Sequence, residues 1–166
     1  MKKLLLTLAL LLAAPQAGAA APTFAPFEGN TGYQEIKLSA TSWYVAFLGN
    51  RKTAMTEIET GWKVRAAQLC ASQHADYFVE MRYVSEPVLT SDKIALLGED
   101  DLASHLRRVA AVYVPIYSHP IEAYVTPAKM APGLCVAERA ALREPERALE
   151  TGAVLAQARK DGYPLQ

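Results

Sequence analysis

The sequence predicts an α+β domain: an antiparallel sheet of about four strands in ββαββ order, one long helix packed on a face, and a helical C-terminal segment. Three observations carry this. Trp43, Val45 and Phe47 alternate with Tyr44, Ala46 and Leu48, and Gly49-Asn50 then ends the run, as a well-covered strand would end. Met55, Ile58, Trp62, Ala66 and Leu69 recur at helical spacing. Val109 to Tyr117 is strongly β-prone, whereas the chain beyond Pro132-Gly133 turns to Ala, Glu, Arg and Leu.

The first element is a leader over residues 1–20. Met1-Lys2-Lys3 is followed by an apolar run from Leu4 to Ala14, a break at Pro15-Gln16, and the small residues Ala17-Gly18-Ala19-Ala20-Ala21. A cationic head, a short apolar middle and an A-x-A site make a secretory signal peptide, with cleavage expected after Ala19 or Ala20. The apolar run is about 11 residues, against roughly 20 for a membrane-spanning helix. No cysteine lies near the cleavage region, so no lipid attachment site and no membrane anchor after cleavage are expected. Residues 21–31, with Pro22, Pro26 and Gly29, read as a flexible lead-in to a single domain over 32–166.

Within that domain, Tyr33 to Leu38 and Trp43 to Leu48 read as a hairpin around Ser39-Ala40-Thr41-Ser42. A helix follows to about Gln73, capped by Thr53 or by the Thr56–Glu59 box. Gly61 costs about 1 kcal/mol there against alanine, unless it permits close packing. Asp76 to Val84 reads as a third strand, with Tyr77, Val79 and Met81 facing one way. Ser85 to Arg107 is hard to read and long for a structureless loop, so it carries local structure or function. Val109 to Tyr117 supplies the next strand, with Pro115 at an edge, bulge or end, and Ile121 to Thr126 adds a short one. The C-terminal helical segment starts from about 134, with pieces at Val136 to Arg143 and Pro145 to Lys160 and Pro145 in the first turn of the second.

Charge and cysteine content narrow the function classes. Lys plus Arg and Asp plus Glu both number 17, and losing Lys2 and Lys3 with the leader leaves a small acidic excess. With the charges interspersed, nucleic acid is excluded as a partner, since that affinity comes from phosphate neutralisation. The 2 cysteines, Cys70 and Cys135, would enter an oxidising compartment, where an even count favours a disulfide; two separate buried thiols are the alternative. A bridge closing so long a loop is worth on the order of 4 kcal/mol at most. C-x-x-C is absent, which removes a thioredoxin-like redox role.

Gly32-Tyr33, Trp43-Tyr44-Val45-Ala46-Phe47-Leu48-Gly49-Asn50, Thr53, Arg65-Ala66-Ala67-Gln68-Leu69 and Asp76-Tyr77-Phe78 form an ordered set. The set resembles a family of small uncharacterised proteobacterial envelope proteins, many of them described as lipoproteins, whose pattern is G-Y, Y-x-V-x-F-x-G-N, R-A-A-E-L and D-Y-F. The resemblance spans residues 32–78 and implies an α+β domain without a known activity. Two departures stand out: the lipid-bearing cysteine is missing, and the glycine usual before D-Y-F is replaced by His74. That glycine ends the helix in the left-handed region, which histidine tolerates better than most residues do.

The candidate sites are few. No G-x-S-x-G frames a serine nucleophile. Of the 3 histidines, His74 reads as a helix terminator and His119, before Pro120, as a loop residue. His105 lies four residues after Asp101, so the two could meet on a helix face as a weak metal site; Glu99 or Asp100 would have to complete it, and an acid-rich first helical turn explains the same residues. Trp43, Tyr44, Phe47, Trp62, Tyr77 and Phe78 fall where core packing places them, whereas Tyr113, Tyr117 and Tyr124 could form a partner surface. Arg107, Arg108, Arg139, Arg143 and Arg147 could contact an anionic polymer, but Glu138, Glu144, Glu146 and Glu150 point to ordinary surface pairs. The sequence therefore predicts no catalytic residue and no cofactor. It predicts a soluble periplasmic protein, non-catalytic, that binds or supports another cell-envelope component. The alternative is a small periplasmic metal-binding protein or hydrolase that uses the 85–107 segment.

Overall fold

The computed structural model describes residues 24–28, 31–50, 52–91, 104 and 127–165. Over these the architecture is α+β. The strands are β1 (Gly32–Lys37), β2 (Ser42–Leu48), β3 (Tyr77–Glu80), β4 (Ala128–Val136) and β5 (Leu149–Glu150), and the helices are α1 (Met55–Ser72) and α2 (Thr151–Lys160). The five strands form one antiparallel sheet in the order β1-β2-β4-β3-β5. The expected strands at Val109–Tyr117 and Ile121–Thr126 lie outside the described residues.

Period-two alternation in β2 and β4 divides the sheet into two apolar faces. Val45 and Phe47 of β2, Ala131 and Cys135 of β4 and Phe78 of β3 pack with Ile58, Trp62, Ala66 and Leu69 of α1. Trp62 is fully buried, and its indole N–H donates to the carbonyls of both Val45 (3.1 Å) and Ala131 (3.3 Å), pinning α1 to the two central strands. Burying one such aromatic contributes about 3 kcal/mol. On the other face, Ile36, Ala46 and Leu48 form one cluster, and Val79, Met81, Leu134 and Val136 form another with Val88 and Leu142.

The α1 stripe is buried as expected from Ile58 to Leu69, but Met55, at the helix's first position, stays 48% exposed. Gly61 is the close-packing glycine: a Cβ there would lie 2.4 Å from the Phe47 ring. The N-cap is Ala54 rather than Thr53. Glu57 accepts the Ala54 N–H at 3.0 Å, while the Thr53 hydroxyl accepts the Asn50 N–H at 3.0 Å. At the other end His74 has φ 56°, its N–H donates to Ala71 O, and Ala75 N–H donates to Cys70 O. These two bonds make a Schellman stop with histidine in the position glycine usually takes.

Two expectations are corrected. The first concerns the stretch from 128 onward. Pro132-Gly133 is not a turn before a helix but the middle of β4, a central strand. Proline loses no ladder bond there, because its nitrogen points towards the β3 side just where β3 has ended; its carbonyl accepts the Met81 N–H at 2.8 Å. Helix does not begin near 134: 3₁₀ turns at Arg139–Ala141 and Pro145–Arg147 precede β5, and α2 starts only at Thr151. The second concerns the lead-in. Phe24 is buried against Tyr33, Phe47 and Tyr163, with ring centroids 5.2, 5.9 and 5.4 Å away. Phe27 N–H donates to Tyr33 O and Tyr33 N–H to Ala25 O, so residues 25–27 run along the outer edge of β1. Gly32 makes room for them, with φ 115° and a Cβ position 2.6 Å from Ala25 O.

Cys70, in the last turn of α1, is bonded to Cys135 near the end of β4 (S–S 2.02 Å, sequence separation 65). Both residues are buried. The bridge fastens the helix to the sheet centre. On the outer edge of β3, Asp76 O accepts the Thr151 N–H, β5 pairs with Tyr77 and Phe78, and Glu80 O accepts from the Arg147 guanidinium at 2.6 Å.

Candidate functional site

The main concentration of polar side chains among the described residues lies at that last point. Glu86 follows the turn after β3, in which its N–H donates to Tyr83 O at 3.0 Å. Pro87 holds residue 86 out of the helical region, and the next residue, Val88, is buried in the apolar cluster of the sheet face away from α1. This geometry turns the Glu86 carboxylate inward, where the residue is only 5% exposed.

Three hydrogen bonds and one further ion-pair contact meet that carboxylate. Arg147 Nη1 donates to Oε1 at 2.6 Å and Nη2 to Oε2 at 3.2 Å; the Arg82 N–H donates to Oε2 at 2.5 Å, and Arg82 Nη1 lies 3.3 Å from Oε1. Glu144 completes the group, its Oε2 accepting from Arg82 Nη2 at 3.0 Å and Arg147 Nη1 at 3.5 Å. Two guanidiniums thus face two carboxylates. The Arg147 hydrogen bond, first, and then the Arg82 backbone bond and the two positive charges hold the Glu86 carboxyl below its ordinary range, against a burial effect that pushes it up. The same pairing raises Arg147 above its usual value. Beneath the charged groups lie Val79, Val88 and Leu142, which with Glu86, Arg143, Glu144 and Arg147 line a small cleft.

Chemically this arrangement clamps rather than reacts. A general acid or base needs a carboxyl able to exchange its proton near the working pH. Glu86 is driven the other way and has its lone pairs filled by donors. The clamp joins the 82–86 turn to the 145–147 turn and closes the edge of β3 at Glu80.

The other residues singled out in the sequence are dispersed. His74 is an exposed helix terminator, as expected. Asp101, His105 and His119 lie outside the described residues, as do Tyr113, Tyr117, Tyr124, Arg107 and Arg108. Among the described residues no group of three His, Cys, Asp or Glu is placed to hold a metal ion. Phe47, Trp62 and Phe78 are core residues with half-buried Trp43 packed against them, whereas half-buried Tyr44 and Tyr77 pack on the two clusters of the other sheet face. Arg139 Nε donates to Pro145 O and Arg143 Nε to Leu89 O, so both guanidiniums serve intramolecular contacts. Arg147, expected in a short-range surface pair, reaches back 61 residues to Glu86. Sequence reasoning missed Glu86; its one local signal is the Glu-Pro-Val order, an acid held extended just before a buried valine.

No helix among the described residues is long and apolar enough to cross a membrane. The chain matches no family model, no curated protein and no solved structure, so its function is read from its own residues.

Proposed function

We propose that this chain is exported to the periplasm and works there without catalysis, binding or supporting another component of the cell envelope. The observation that carries the reading is the Cys70–Cys135 bridge, buried between α1 and β4. Structural disulfides persist in oxidising compartments and are rare where thioredoxin and glutathione keep thiols reduced. The leader-like composition of residues 1–20 supplies the route. The ordered set from Gly32-Tyr33 to Asp76-Tyr77-Phe78 supports kinship with the envelope family it resembles. The closed charge balance around Glu86 supports a structural rather than reactive use of the polar groups.

The test is capture of the tagged, processed protein from periplasmic extract, with metal analysis of the same preparation. A reproducible envelope partner and no stoichiometric metal are expected. Stoichiometric metal that disappears in His105→Ala would replace this reading with that of a metal protein built on the 85–107 segment.

A further inference from the structure

The roof over Val79, Val88 and Leu142 is made of charge. Glu86 sits at its centre, and the groups that face it come from two elements: Arg82 from the turn after β3, and Arg147 and Glu144 from the 144–147 turn. Arg143 lines the same cleft, with its guanidinium on Leu89 O, and the neighbouring Glu80 carboxylate is turned away onto Lys129 at 2.8 Å. The Glu86 carboxylate is thus met by N–H groups of Arg82 and Arg147. An added proton would enter a shell without an acceptor facing it; the acceptor the cluster offers is Glu144 Oε2, already held by Arg82 and Arg147.

We propose that Glu86 is a proton-operated clasp. Taking up one proton from solvent breaks its bonds to Arg147 and Arg82, parts the 82–86 turn from the 145–147 turn, and opens the cleft over Val79 beside the outer edge of β3, while the Arg143 N–H on Val88 O and the Thr90 N–H on Ala141 O keep the 88–90 and 141–143 segments together. The rest of the molecule is secured by different means. The face on α1 rests on the larger apolar cluster and the Cys70–Cys135 bridge, with the Glu35–Arg65 pair and the Glu57 carboxylate on the Ala54 N–H only at its margin. Acid would thus open one flank of the sheet while the disulfide-linked half stays folded. The opened flank would present buried apolar side chains and a strand edge, the two features that make a surface adhesive.

The sign follows from the carboxyl's position. Because the folded state holds Glu86 below its ordinary range, the clasp is fully closed above the unfolded carboxyl value, about 4.3, and is lost as pH falls through the lower folded value. Hydrogen exchange of the full oxidised chain between pH 7 and pH 3, corrected for intrinsic rates, reads the opening directly. The expected result is that amides of residues 82–88 lose protection by up to about tenfold per pH unit as the pH falls from the unfolded carboxyl value towards the lower folded one, levelling off beneath it, while those of α1 and β4 keep theirs. Glu86→Gln should show the raised exchange already at pH 7 and no further acid step. The proposal is overturned if residues 82–88 and α1 lose protection together, or if the Glu86→Gln profile overlays that of the parent chain. Should that variant fail to fold, the pH series on the parent chain decides alone.

Discussion

His74 adopts a φ of 56° because the chain must turn left at the end of α1 so that Ala75 can fold back onto Cys70. A side chain with a Cβ adopts that region at a cost of roughly 1–2 kcal/mol, which glycine avoids while losing more freedom on folding. His74→Gly should therefore stabilise the domain by up to about 1 kcal/mol, read as a higher midpoint in urea with an unchanged slope. A loss of stability would mean that the imidazole does more than occupy the turn. Arg147 lies at the opposite extreme. Its guanidinium holds the buried Glu86 carboxylate and the last carbonyl of β3. Arg147→Ala should destabilise the domain at pH 7 by about 2–4 kcal/mol, since it leaves a buried charge short of partners. The deficit should begin to shrink once the pH drops below the unfolded carboxyl value, about 4.3, because the parent chain then loses the pair's contribution as well. Denaturant titrations at pH 7 and pH 3.5 would measure both. His74 is legible in the sequence because backbone geometry at a helix end depends on neighbours close in the chain. The Glu86–Arg147 contact is not legible, because its partners are 61 residues apart and each has nearer charges that offer a simpler pairing.

Among the elements, α1 and β2 are the ones whose patterning is complete within a single stretch of chain. Each carries its period, a glycine or histidine stop and a run of large apolar residues, and each forms where the pattern places it. β4 is the counter-example. Its inward position Gly133 faces the Trp62 ring, which a Cβ there would just touch at 3.8 Å, and Pro132 is tolerated because β3 stops one residue short of it. Neither reason is local, so the stretch reads as a turn and the start of a helix. The interlock of α1 and β2 gives a prediction against intrinsic propensity. Alanine favours helix over glycine by about 1 kcal/mol, yet Gly61→Ala would drive a methyl into the fully buried Phe47 ring. Overpacking of that kind costs about 1–3 kcal/mol, so the variant should melt below the parent chain. Gly61→Ala combined with Phe47→Leu should recover part of the loss. Thermal denaturation of the single and double variants, with Phe47→Leu alone as the reference, would decide whether the contact is the cause.

For the molecule as a whole, three ties give the domain its order: Phe24 against Tyr163 joining the first and last parts of the domain, Trp62 pinning helix to sheet, and the disulfide at the helix's last turn. The bridge constrains the longest loop, and replacing both cysteines with alanine should lower stability by about 2–4 kcal/mol, with α1 and β4 becoming the parts most open to exchange. A bridge with that weight is of use only where it can form and last, which binds the stability of the fold to the compartment proposed for it. Mass spectrometry of the protein purified from fractionated cells, alkylated before lysis, joins those two halves in one measurement. The account predicts a periplasmic chain that begins at Ala20 or Ala21 and carries no alkylated cysteine. A cytoplasmic chain that retains Met1, with Cys70 and Cys135 both alkylated, would contradict it.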